Sequence, residues 1–386
     1  MRPSRPRTIG HRGVLPPMLL GLALCLGAGI TRGGVAAVPT RTESPALKVA
    51  YTSQRVMNAV AVSDDGRVFV SFPYWGGGDT PGPTVAELSP DGTARAYPDA
   101  KWNDWATSHD NDHAFVRVNA IRFGPDGKLW VVDSGEANVG GAPNPPTGAK
   151  ARLVVIDIAT GQVVRTISLA AANTPHTYID DLRFHGSTLF LTDAGDPGLV
   201  VVDMKTGRQR RVLEHARSTT DERPMYAEGQ LLISNGKPAR VHADQLEVSP
   251  DGTKLYFQPS SGPMWVVPTA ALEDADLSPA ALEKQVRLFH DTPTTGGTAI
   301  DGDGNLYVSD TNLLRILRIT PAGQVSTLVA DRRLVWADAM WIAHDGALWI
   351  PAVQLNRTAT FERDGRSHLD LPVAIYRMDL HLRPVR

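Results

Sequence analysis

One phrase recurs six times along this chain: a polar residue, a short apolar run, a turn containing glycine, and a second apolar run. The copies are MNAVAVSDDGRVFV, VNAIRFGPDGKLWV, IDDLRFHGSTLFL, ADQLEVSPDGTKLYF, GGTAIDGDGNLYV and ADAMWIAHDGALWI. Their turn glycines are Gly66, Gly127, Gly186, Gly252, Gly304 and Gly346, separated by 61, 59, 66, 52 and 42 residues. A period of roughly 40–60 residues built from short strands is the pattern of a β-propeller with one blade per repeat. The expected fold is therefore all-β, a six-bladed propeller. Such a ring brings the equivalent position of every blade to one axis.

Composition is that of an ordinary globular protein, 42% hydrophobic and 21% charged with a formal net charge of −2. There is no basic surplus to suggest nucleic acid as a partner. At the N-terminus, Arg2, Arg5, Arg7 and Arg12 precede an apolar stretch from Val14 to Ile30, followed by Val35, Ala36 and Ala37. That order reads as a secretory signal, too short and too broken for a good membrane span. The expected division is residues 1–37 as a removed signal and 38–386 as the propeller, secreted or periplasmic, with no integral span after cleavage. Cys25 is the single cysteine and would leave with the signal, so no disulfide or Cys-ligated metal is expected.

Leu47–Tyr51 reads as a strand ahead of the first repeat, and Ala374–Leu380 as one after the sixth. Pairing of these two would close the ring in its last blade and remove open edges. Insertions are expected at 99–115, 136–150 and 215–240, and short surface helices within Ala270–Lys284.

Four residues before the apolar positions Val62, Phe123, Phe184, Val248, Ile300 and Ile342 stand Asn58, Asn119, Asp180, Asp244, Gly296 and Asp338. Each begins the innermost strand of its blade, near the central channel. Strands disfavour Asn and Asp, so five of six require a reason. Capping of strand starts is one. The other is a site, because three converging carboxylates repel one another without a cation or a shared proton. Oxygen donors without His or Cys suit Ca²⁺ or Mg²⁺, or else an ammonium group on a ligand. Asp133, Asp193 and Asp310 end the second strands on the same face, either behind this site or capping tight turns. Phe72, Tyr74, Trp75, Trp102, Trp105 and Trp336 lie in loops of that face and could wall a pocket or pack between blades. The SHDNDH run around His109 and His113 reads as a solvated loop, whereas His176, His242 and His290 near repeat starts are candidate general bases.

GRVFVSFPYW, GKLWVVDSG, LVVIDIATGQVVRTI, SPDGTKLYFQPSSGPMWVVPTAAL and GNLYVSDTN together resemble the major royal jelly protein/yellow family, from about Leu47 to about Leu380. That resemblance implies a secreted six-bladed propeller binding a small ligand in its channel. Family members bind biogenic amines or are linked to dopachrome conversion, and bacterial relatives are often described as dopachrome tautomerase-related. It would make Asp180 and Asp338 the proton-transfer residues of a tautomerase-like isomerase, with Asn58, Asn119, Asp244, Tyr74 and Trp336 around the ligand. A looser resemblance is to the gluconolactonase/senescence-marker propellers. It implies one divalent cation on oxygen ligands at the strand starts, where Asn119 and Asp338 resemble that group's Asn-Gly and Asp-Gly starts, and a Ca²⁺-dependent lactonase-like hydrolase. The register itself offers Asn58, Asn119, Asp180, Asp244 and Asp338 as the metal set. Met57-Asn58-Ala59 replaces the Glu-Gly-Pro opening of that group. A non-catalytic interaction scaffold is the third alternative; the residues do not settle whether the protein is an enzyme.

Overall fold

A computed structural model describes residues 40–73, 82–135 and 148–385, all within one compact unit spanning 36–386. The signal segment, Tyr74 and Trp75 lie outside the described residues.

Six four-stranded antiparallel sheets follow one another along the chain. Counted from the innermost strand, blade 1 starts at Val60–Val62, blade 2 at Val118–Phe123 and blade 3 at Ile179–His185. Blades 4, 5 and 6 start at Ala243–Val248, Thr298–Ile300 and Trp341–Ile342. All six turn glycines have φ between +56° and +85°. That left-handed region is nearly closed to side chains with a Cβ, which is why the glycine recurs where the chain reverses from first to second strand.

The last blade closes the ring as the sequence suggests. Its order is Trp341–Ile342, Ala347–Ala352, Val373–Asp379 and, outermost, the N-terminal strand Lys48–Ser53, paired antiparallel from Lys48–Arg377 to Ser53–Val373. The lead-in before that strand is tied to blade 5 by Ser44 N–H donating to Asp331 at 2.7 Å and by a Glu43–Arg332 ion pair. Apolar clusters fill the interfaces between blades. One joins Val132, Leu153 and Val155 of blade 2 to Ile179, Leu189 and Val200 of blade 3. Two short helices, Thr269–Glu273 and Pro279–Glu283, occupy the segment with helical composition.

The long insertion after blade 3 folds into two small hairpins, Tyr226–Ala227 with Gln230–Leu231 and Ile233–Ser234 with Lys237–Pro238. Its Met225, Ala227, Leu232 and Ala239 form one buried cluster with Tyr178 and Trp336. Tyr178 and Trp336 stand two residues before Asp180 and Asp338, so the insertion packs over the axial face. A bidentate Glu228–Arg357 pair, at 2.6 and 2.9 Å, fastens it to the loop after the second strand of blade 6.

Candidate functional site

The six positions read from the repeat do meet at one place. Asn58, Asn119, Asp180, Asp244, Gly296 and Asp338 line a single cavity. In blades 2, 3 and 4 the strand register slips at the axial residue, between Val118 and Ile121, Ile179 and Leu182, and Ala243 and Gln245. Such bulges re-aim a side chain out of the alternating pattern, here toward the axis. Hydroxyls at the ends of second strands hold neighbouring blades in place. Ser71 Oγ donates to the Asn119 carbonyl at 2.7 Å, Thr192 Oγ1 to the Asp244 carbonyl at 2.7 Å and Ser260 Oγ to the Thr295 carbonyl at 2.8 Å.

Hydrogen bonds run around the ring from blade to blade. Asn58 Nδ2 donates to Asn119 Oδ1 at 3.1 Å, and Asn119 Nδ2 donates to Asp180 Oδ1 at 2.7 Å. The carboxyl of Asp244 stands beside that of Asp180 and pushes its pKa up. Trp336 Nε1 donates to Asp338 Oδ2 at 3.1 Å, and the Ala339 N–H to Asp338 Oδ1 at 2.8 Å. Asn58 Oδ1, by contrast, is buried without a partner.

Burial pushes the pKa of all three carboxyls up. Asp180 rises further because Asp244 is beside it, Asp338 because of Asp180, and Asp244 because of Asp338. Crowded carboxylates with too little positive charge are held together by a retained proton. The folded state therefore binds protons that the unfolded chain releases above about pH 4. Stability from this source is complete at low pH and is lost as pH rises through the folded pKa values. In cation-free solution, thermal stability should fall between pH 5 and pH 8, and Asp244→Asn should flatten that fall. A wild-type stability that is level or rising over this window would contradict the assignment.

Beneath the ring lies a charged layer that the sequence reading missed. Asp181 is buried between Arg122 Nη2 and Arg183 Nη1, each at 2.7 Å, and Arg183 makes a bidentate pair with Glu247 at 2.7 and 2.8 Å. Burial alone would raise the Asp181 pKa, but the two guanidiniums hold it down at about 2. Thr298 Oγ1 donates to Glu247 Oε1 at 2.9 Å, and Arg122 Nη1 to the Met340 carbonyl at 2.8 Å. Two cations balance two anions in this group, and Arg122 and Asp181 line the same cavity as the ring carboxyls, where Arg122 partly offsets the rise at Asp180. A signal was available: Arg122, Arg183 and Glu247 each stand three residues after an axial position.

The space between the ring residues is about 10 Å³, enough for one water-sized centre. An aromatic ligand does not fit among these carboxyls as they stand. No aromatic side chain lines the cavity among the described residues. Trp336, 2% exposed, belongs to the apolar cluster under the insertion, and Phe72 is buried in the core of blade 1. His176, His242 and His290 do not line the cavity either; the His242 ring accepts the Asp221 N–H at 3.1 Å. Asp110 in the SHDNDH loop accepts the N–H groups of Asp112 and His113, and the loop is exposed. Asp133 accepts the N–H groups of Val116 and Arg117 and pairs with Arg152, while Asp193 accepts the Tyr178 N–H and pairs with Arg211. Both work as turn caps.

Fold and axial ring together define a six-bladed propeller with an acidic, oxygen-rich centre. The chain belongs to the major royal jelly protein family, whose profile matches residues 118–380. It is 30% identical over 179 residues to the core trichothecene cluster protein 14 of Fusarium sporotrichioides, covering 44% of each chain, so the match spans less than half of that relative. Among solved structures it is similar to a calcium-binding regucalcin from Agrobacterium tumefaciens, with TM-score 0.52, 13% identity and 88% and 97% of the two chains covered. A gluconolactonase from Xanthomonas campestris is similar at TM-score 0.52 and 14% identity, with 91% and 99% covered. At such identities these two likenesses speak for the fold.

Proposed function

We propose that this is a secreted propeller whose axial ring holds one hard divalent cation, Ca²⁺ first, on oxygen atoms of Asn58, Asn119, Asp180, Asp244 and Asp338. The observation that carries this reading is the donor set: three carboxyls that raise one another's pKa, a buried Asn58 Oδ1 without a partner, and room for a single atom-sized occupant. The three carboxyls do not all lie within 4.8 Å of one another as they stand and would draw in around an ion. Neither His nor Cys is among the lining residues, as a hard cation prefers. Export rests on the charged, apolar, small-residue order of residues 1–37.

A bound cation would supply Lewis-acid polarisation of a ligand oxygen. Asp338, held by Trp336 and Ala339, and Asp180, held by Asn119, would orient a small polar ligand and exchange protons with it. The apolar cluster of the 215–240 insertion packs on Tyr178 and Trp336 beside the axial face, so a ligand approaching from that side meets it first. The hydrolase reading, with a lactone or similar ester as substrate, follows from these roles.

A second reading is carried by the neighbouring Asp180 and Asp244 carboxyls, both pushed up in pKa by burial. An acid and a carboxylate side by side can take a proton from one atom of a catechol-derived compound and return it to another, as a tautomerase does. Activity insensitive to chelator would select this reading.

The test is thermal unfolding with Ca²⁺ and with chelator. Saturation at about 100 times the dissociation constant should stabilise the fold by about 2.7 kcal/mol, since the unfolded chain lacks the site. Asp338→Ala should weaken the response, and Asp110→Ala in the exposed loop should leave it intact. Unfolding indifferent to both Ca²⁺ and chelator would overturn the cation reading.

A further inference from the structure

The axial ring has a gap. Five blades place an Asn or Asp at the axis, but blade 5 places Gly296. The gap is enforced by packing: a Cβ on Gly296 would lie 2.6 Å from the Ala337 carbonyl oxygen and 2.8 Å from Trp336 Cδ1. At the neighbouring Gly297 a Cβ would lie 2.3 Å from the Asp338 carbonyl carbon. Blade 6 approaches blade 5 so closely here that blade 5 can contribute no side chain of its own.

Gln245, one residue beyond the axial Asp244, reaches into that place from blade 4. Its Nε2 lies 2.9 Å from the Thr295 carbonyl, 3.0 Å from the Gly296 carbonyl and 2.8 Å from Asp244 Oδ2. Three oxygen acceptors around one end of the amide fix that end as the nitrogen. The other end, Oε1, is buried with no partner, on a side chain 4% exposed that lines the axial cavity. A buried amide oxygen without a partner costs about 1–3 kcal/mol, a cost the fold accepts twice in this cavity, at Asn58 and here. The Nε2 end is engaged by those three acceptors, whereas nothing in the surrounding protein satisfies Oε1.

We infer that Gln245 is a ligand of the axial cation, its Oε1 standing in for the donor that Gly296 cannot supply. This rests on the cation reading above and deepens it. The amide is neutral, so it completes the oxygen shell without adding a fourth negative charge. Ca²⁺ takes six to eight oxygen donors in flexible geometry, whereas Mg²⁺ demands a near-ideal octahedron and keeps several waters. A long, tethered Gln therefore adds donor number in a way that serves Ca²⁺ more than Mg²⁺.

The experiment uses Tb³⁺ as a luminescent stand-in for Ca²⁺ on the full mature chain, with lifetimes in H₂O and D₂O giving the number of coordinated waters. Gln245→Ala should bind Tb³⁺ with one more coordinated water than wild type and bind Ca²⁺ about tenfold more weakly, a difference of about 1.4 kcal/mol. Mg²⁺ affinity should change less. Gln245→Asn, which keeps an amide but is one methylene short of the gap, should show the same extra water and covers the case in which the alanine variant folds poorly. Water number and affinity unchanged in both variants would overturn the role of Gln245 while leaving the cation site standing. A wild-type chain that binds no Tb³⁺ or Ca²⁺ would overturn the cation reading and this inference with it.

Discussion

Asp181→Ala should be among the most destabilising single substitutions in this protein, costing about 3–5 kcal/mol. Asp181 receives both Nε and Nη2 of Arg122, at 3.2 and 2.7 Å, and one nitrogen of Arg183. Removing it strands the Arg122 guanidinium in the channel with the Met340 carbonyl as its remaining hydrogen-bond partner. The loss measured is the cost of that buried, uncompensated charge rather than the net worth of the ion pairs. Lys48→Ala, which breaks the exposed Lys48–Asp379 pair on the closing strand, should cost less than about 1 kcal/mol. Denaturant unfolding of the two variants checks the contrast. Equal losses would mean that the charged layer under the ring is not buried as described.

Trp336→Ala should cost about 3–5 kcal/mol, the range for a large aromatic removed from a core. It should also weaken Ca²⁺ binding, because the indole N–H that holds Asp338 goes with it. Trp336→Phe separates the two effects: most of the packing with Tyr178, Met225 and Leu232 is retained while the hydrogen bond is lost. The Phe variant should be closer to wild type in stability yet still impaired in Ca²⁺ response. If Trp336→Phe leaves Ca²⁺ binding untouched, Trp336 supports the insertion alone.

The fold was legible because its constraints are local and repeated. Each blade needs one turn at positive φ, and glycine marks that turn six times. Closure was legible because short apolar, strand-like segments, Lys48–Ser53 and Val373–Asp379, stand outside the repeat at either end of it. The ring residues were legible through register, because each stands eight residues before its turn glycine, or six in blade 3, and so reaches the same distance from the axis.

What lies around the ring was harder to read. Arg122, Arg183 and Glu247 alternate with apolar neighbours as exposed strand residues do. Their burial follows from meeting at the axis, which only the closed ring brings about. Gln245 was missed because its position is one step off the register, and the bulge at Ala243/Gln245 is what turns it toward the cavity. Trp336 was expected at a ligand surface, but the insertion after blade 3 covers it. Nothing in the mostly polar sequence of residues 215–240 marks that segment as a cover, since its apolar residues such as Met225, Leu232 and Ala239 acquire meaning only against Tyr178 and Trp336.

Binding of one hard divalent cation at the axial ring is tested most directly by calorimetric titration of the chelator-treated protein with Ca²⁺ at neutral pH, beside the Asp180→Ala/Asp338→Ala double variant. One ion should bind per chain in the wild type and none in the double variant. Absence of binding by wild type, or equal binding by the double variant, would contradict binding at the ring.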